Sequence, residues 1–110
     1  MISIETVLLL VWAHFIADFI AQSDMMARSK SSSNKWLLIH VAIYTVIMCA
    51  FGWVFALVNG VLHFITDFIT SRVASYFHKK DEIHWFFVVI GFDQAIHLST
   101  LFITYHYIVE

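Results

Sequence analysis

Two nearly identical octapeptides carry the groups in this chain best equipped for chemistry. His14-Phe-Ile-Ala-Asp18-Phe-Ile-Ala recurs 49 residues later as His63-Phe-Ile-Thr-Asp67-Phe-Ile-Thr. In each, an imidazole and a carboxylate stand at i and i+4, which puts them on one face of a helix. Asp93 and His97 have the same spacing in reverse order. Neutral imidazole nitrogen and carboxylate oxygen together suit Zn first, with Mn, Fe, Co or Ni also fitting. The same residue types can relay protons or pass cations.

These pairs lie inside long apolar runs. The chain is 61% hydrophobic and 13% charged, without proline, whereas soluble domains carry about 25% charged residues. Mean hydropathy is +0.82. This is the composition of an integral membrane protein, and its length fits a single integral membrane domain over residues 1–110. An Asp near the bilayer centre costs about 2.5–3.5 kcal/mol to insert. Three of them in apolar runs therefore point to a functional site. The N-terminus lacks a positive region, and its apolar run holds His14 and Asp18, which argues against a cleaved signal peptide. Cys49 is the sole cysteine, which excludes an intramolecular disulfide and reads as a small buried apolar residue. The net charge of −2 comes with no nucleic-acid footprint.

The pattern predicts four transmembrane helices, over about residues 2–22, 36–51, 53–77 and 83–108. The apolar tract 36–77 is too long for one span of about 20 residues, so it must contain a hairpin. Asn59-Gly60 is the obvious turn dipeptide. The 49-residue offset, shared by His14 and His63 and by Trp36 and Trp85, instead maps the first helix start to Gly52. A turn at Asn59-Gly60 would leave His63 within about 6 Å of the interface. Gly52 is therefore the expected turn. The segment 23–35 is polar, and within it the run Ser31-Ser32-Ser33-Asn34 reads as a flexible linker. With Arg28, Lys30 and Lys35 it fits positive-inside topology first and contact with anionic headgroups or a phosphate second.

Arg28, Lys30, Lys35, Lys79 and Lys80 lie in the two polar loops, and Arg72 lies near the second. The positive-inside rule places both loops in the cytoplasm and both termini outside. The expected fold is an all-α four-transmembrane-helix bundle. It is built from two parallel-repeat helical hairpins about a pseudo-twofold axis along the membrane normal.

On this frame His14, Asp18, His63, Asp67, Asp93 and His97 are the candidate metal ligands. His40 and Asp93 are the candidate catalytic groups, either able to serve as general base. His40 alone reads equally as an interhelical hydrogen bond. Seven candidates exceed the three or four protein ligands of one zinc, so there are two ions or some residues orient ligands. Gln22, Gln94 and Tyr44 lie beside the motifs, while His78, His84 and His106 fall near helix ends.

The combination His14-x3-Asp18-Phe-x2-Gln22, Lys30, His40, His63-x3-Asp67 and Asp93-Gln94-x2-His97 resembles the small bacterial and phage membrane proteins grouped as domain of unknown function 3307. The resemblance covers nearly the whole chain. It implies a multi-helix protein of the bacterial or phage-encoded inner membrane, with the matching positions as candidates for a shared site. Many relatives carry Lys three residues after the second Asp. Here that position is Thr70, and Arg72 is the nearest replacement for such a charge.

The leading functional expectation is a metal-dependent membrane hydrolase acting on a lipid or lipid-linked phosphate, with the bilayer and that substrate as its partners. The alternatives are a proton or divalent-cation transporter or channel, and a structural or regulatory module with a metal-free polar core. A homo-oligomer would add buried surface to four short helices. No nucleic-acid partner is expected.

Overall fold

A computed structural model describes residues 1–110 and is wholly helical, without strands. Helix α1 (Ile4–Phe15) starts at Ser3, whose Oγ accepts the Thr6 N–H at 3.2 Å. This cap satisfies one of the unpaired donors of a helix start. The helix continues as a single π-helical turn, Ile16–Ile20, in which the Ala21 N–H reaches the Ile16 carbonyl at 2.8 Å. Such i to i+5 turns are rare and often occur at functional sites.

The polar stretch after α1 is helical at its start, and residues 31–33 connect it to the next helix. Its helical part is α2 (Asp24–Ser29), capped by Ser23 and anchored by buried Met26. Helix α3 (Asn34–Met48) is capped by Ser33 and tightens into a 3-10 turn, Cys49–Phe51. The chain reverses at Gly52, with φ 124° and ψ 144°, a region essentially confined to glycine. Cys49, expected to be buried, is exposed because it sits on this turn.

Helix α4 (Trp53–Lys79) and helix α5 (Ile83–Thr104), the latter extended by a π turn over Tyr105–Val109, complete the chain. Asn59-Gly60 lies inside α4. Asn59 Nδ2 donates to Thr104 Oγ1 at 2.8 Å, and Gly60 lets the Thr45 side chain of α3 come close to the backbone. The dipeptide serves helix contact here, not reversal.

Three segments are long and apolar enough to cross a membrane: Asn34–Phe51, Trp53–Lys79 and Ile83–Val109. Helix α4 packs on both α3 and α5, and α1 packs on α3 and α5. Helices α1 and α4, which carry the two repeated motifs, therefore meet only across the interior. The N-terminal amino group lies 3.9 Å from Glu110 Oε1, so both termini share one end.

Buried residues segregate along the bundle axis. Near the termini and Gly52 lies an apolar core of Leu10, Met48, Phe55, Ala56 and Leu101, with Phe51 and Tyr105 packed on it. Next to it lies a buried polar layer, and beyond that the two polar loops. Large apolar residues such as Trp12, Val46, Leu57, Val61 and Phe92 face outward, as in a protein surrounded by hydrocarbon.

Candidate metal centre

The i, i+4 spacing delivers one pair from α4, His63 and Asp67, and one from α5, Asp93 and His97. Helix α3 contributes His40 and, one turn on, Tyr44. Asp18 comes from the π turn that continues α1. All of these side chains are buried.

Four of them converge on one point. His40 Nε2 lies 2.9 Å from Asp18 Oδ1, 3.1 Å from His63 Nε2 and 3.3 Å from Asp67 Oδ2. His63 Nε2 lies 3.4 Å from Asp18 Oδ1 and 3.2 Å from Asp67 Oδ2. An ion bound at about 2.0–2.1 Å by four tetrahedral ligands would hold those atoms about 3.3–3.4 Å apart. The measured separations are equal to this or a few tenths shorter. Asp18, His40, His63 and Asp67 could therefore hold a metal ion with little adjustment. His40, expected as a base or a lone hydrogen bond, stands at the centre of the set.

A second group lies alongside. His97 Nε2 is 2.9 Å from Asp67 Oδ1 and 3.1 Å from Asp93 Oδ1. Asp18, Asp93 and His97 form another trio with ligand atoms close together. The Thr70 hydroxyl donates to Asp93 Oδ1, and Gln94 Nε2 donates to Asp93 Oδ2 at 3.1 Å. Thr70 thus holds a site carboxylate.

His14 occupies the margin. Its Nδ1 is 3.1 Å from the Tyr44 hydroxyl, its Nε2 is 2.6 Å from Gln94 Oε1, and Asp18 Oδ2 lies farther off at 3.7 Å. Both ring nitrogens are engaged by groups that are not carboxylates. The repeat treats His14 and His63 as equivalent, yet only His63 reaches the centre.

Three rings form a stack that fixes the imidazoles. Tyr44 lies on His63 with centroids 4.0 Å apart, and His63 lies on His97 at 3.9 Å and 15°. His63 is held between two planes with its Nε2 aimed at the carboxylates.

The residue types alone missed Lys30. Its Nζ reaches Asp67 Oδ2 at 3.3 Å from the loop after α2. Its place in the loop suggests topology first and a phosphate or headgroup contact second, and it belongs to the pattern quoted above, but nothing in the spacing points to Asp67. Arg72 does not supply the charge. Its guanidinium donates to Asn34 Oδ1 at 2.8 Å and to the Phe68 carbonyl, and lies over the Phe68 ring.

The cluster opens into a cavity of about 530 Å³ toward the polar loops. Asp18, Asp67 and Asp93 lie on its floor, and Arg28 and Lys30 line it as well. Gln22 Oε1 and Ser71 Oγ, both cavity-lining, are buried without a hydrogen-bond partner. Phe19, Phe86, Val89 and Ile90 supply an apolar wall. His78 reaches the cavity lining, whereas His84 and His106 lie exposed near helix ends.

Residues 6–110 match the family model described as a protein of unknown function (DUF3307). No curated protein and no solved structure matches the chain.

Proposed function

The chain belongs to the DUF3307 family, and from that premise and the site's geometry we propose that it is an intramembrane metal-dependent hydrolase acting on a lipid or lipid-linked phosphate. The observation that carries this reading is a buried set of four metal-ligating side chains at the floor of a cavity that also holds Lys30 and Arg28.

In this reading α1 and its π turn form a fourth span beside the three long apolar helices. Their twelve and five residues meet the lower end of the range that crosses hydrocarbon, about 17–25 residues. Both polar loops face the cytoplasm of a bacterial or phage-infected cell, and the termini face outward.

Asp18, His40, His63 and Asp67 hold the ion, with Zn first and Mn, Fe, Co or Ni also suited. A divalent cation there supplies an acidified water and offsets the carboxylate charge. Asp93, set by Thr70 and Gln94 at the cavity floor, takes the proton from the attacking water. Arg28 and Lys30 pair with phosphate oxygens through charge-assisted hydrogen bonds. The unpaired Ser71 hydroxyl offers a donor to the same group. The apolar wall of Phe19, Phe86, Val89 and Ile90 suits the lipid portion. His14 orients the site through Tyr44 and Gln94, not as a ligand.

The axial layering favours catalysis over conduction. Toward the termini the polar layer meets the packed side chains of Leu10, Met48, Phe55 and Leu101, which block the bundle axis. A cavity with one polar mouth suits a substrate that enters and leaves on the same side.

Elemental analysis of freshly purified protein in detergent, with a phosphate-release screen over phosphatidic acid and polyprenyl phosphates, tests the reading. The expected result is stoichiometric divalent metal and turnover abolished by chelator and by Asp67→Asn. Metal flux across liposomes without turnover would move the assignment to transport. Metal-free wild-type protein would overturn the hydrolase reading and leave a proton relay or a polar structural core.

A further inference from the structure

The four-residue site leaves Asp93, His97 and one oxygen of Asp67 unexplained, and His97 Nε2 lies as close to the Asp67 and Asp93 carboxylates as the ligand atoms of the first four lie to one another. The two oxygens of Asp67 face different partners. Oδ2 lies 3.3 Å from His40 Nε2 and 3.2 Å from His63 Nε2, while Oδ1 lies 2.9 Å from His97 Nε2. His97 Nε2 is in turn 3.1 Å from Asp93 Oδ1. Asp18 belongs to both groups of close ligand atoms.

We propose that the centre is dinuclear, with a second divalent cation held by His97, Asp93 Oδ1 and Asp67 Oδ1, and with Asp67 bridging the two ions. This rests on the metal-binding reading above and extends it to a second site.

The ring stack supplies the spacing. His63 and His97 are nearly parallel, 15° apart in plane and 3.9 Å between centroids. Each directs its Nε2 to a different oxygen of one carboxylate. Two ions bound by stacked rings stand about as far apart as the rings, and two-metal hydrolytic sites have ions about 3.5–4 Å apart. Carboxylate–histidine sets on facing helices of a bundle build such centres elsewhere.

The remaining contacts are consistent with this arrangement. The Thr70 hydroxyl donates to Asp93 Oδ1, which keeps a second lone pair for a cation. Asp93 Oδ2 faces Gln94 instead, so this carboxylate can bind an ion through one oxygen and take a proton on the other. Two cations facing three carboxylates and Lys30 leave excess positive charge at the cavity floor, which suits a phosphate dianion.

The test uses the full chain in detergent, loaded with Mn²⁺ alone and freed of excess ion by gel filtration. Two Mn per wild-type chain, with the EPR spectrum of an exchange-coupled pair, is the expected result. His97→Ala and His97→Gln should each retain one Mn and give the six-line spectrum of an isolated ion. One Mn per wild-type chain with an uncoupled spectrum overturns the second site and leaves the first intact. No bound Mn overturns the metal reading itself. The wild-type spectrum decides between one ion and two even if the His97 variants fail to fold.

Discussion

Lys30 Nζ lies 3.3 Å from Asp67 Oδ2, so a loop ammonium reaches the carboxylate that also faces His40 and His63. Asp67 is buried, and Lys30 approaches it from the cavity side. A buried carboxylate needs a compensating charge or several donors. Asp67 has an ammonium and three imidazoles within reach. Lys30 therefore belongs to the site even though it sits outside every long apolar helix.

Replacing Lys30 with Met should separate substrate binding from metal binding. Metal content should be retained, since Lys30 competes for Asp67 and is not a ligand. The affinity for a phosphate headgroup should fall by about 10- to 100-fold, the worth of a lost hydrogen bond between charged groups. Lys30→Arg should recover part of that loss. KM and bound metal measured on the same preparations would check this, and a metal-free Lys30→Met protein would refute it.

The two repeated histidines should respond differently. His63→Ala removes a nitrogen from the four-atom set, and stoichiometric metal should be lost. His14→Ala removes a group bonded to Tyr44 and Gln94. Losing such a supporting contact lowers metal affinity by about 10–100-fold and does not abolish binding. Competition titration with a chromophoric chelator distinguishes the two. Equal loss in both variants would restore the equivalence that the repeat suggests.

The repeat located the acid and base pairs because helical spacing is fixed by backbone geometry. It also located the reversal at Gly52, since a 49-residue offset carries one hairpin's boundary onto the other. It could not distinguish His14 from His63. That difference arises where α1 shifts into its π turn at Ile16–Ile20 and re-aims Asp18 relative to His14. A local change in helix type leaves no periodic trace among Ile, Ala and Phe. Lys30's contact with Asp67 was illegible for a related reason: α2 folds the loop back over the cavity, and a six-residue helix is too short for a hydrophobic pattern.

Arg72→Ala should leave metal content and substrate affinity unchanged. Its guanidinium is spent on Asn34, the Phe68 carbonyl and the Phe68 ring, away from the carboxylates. A lost surface contact of this kind changes stability by about 0.5 kcal/mol or less. The measurement pairs elemental analysis with thermal unfolding in detergent. Loss of metal in this variant would mean that Arg72 supports the centre despite its distance from the carboxylates.

Two glycines should fail for different reasons, and a second substitution should rescue only one. At Gly60 an added Cβ would collide with Thr45 Oγ1 across the α3–α4 contact. Gly60→Ala should therefore destabilise by about 1–3 kcal/mol through overpacking. Thr45→Ala removes that oxygen, so the double variant should be more stable than Gly60→Ala alone, a positive coupling between neighbours. At Gly52 nothing lies within 4 Å of the added carbon, but φ is +124°. Gly52→Ala is strained by its own backbone, at about 1–3 kcal/mol. Thr45→Ala should therefore leave its effect unchanged. Unfolding midpoints for the wild type and the five variants complete both cycles. Rescue at Gly52, or none at Gly60, would contradict the α3–α4 packing that brings His40 to His63.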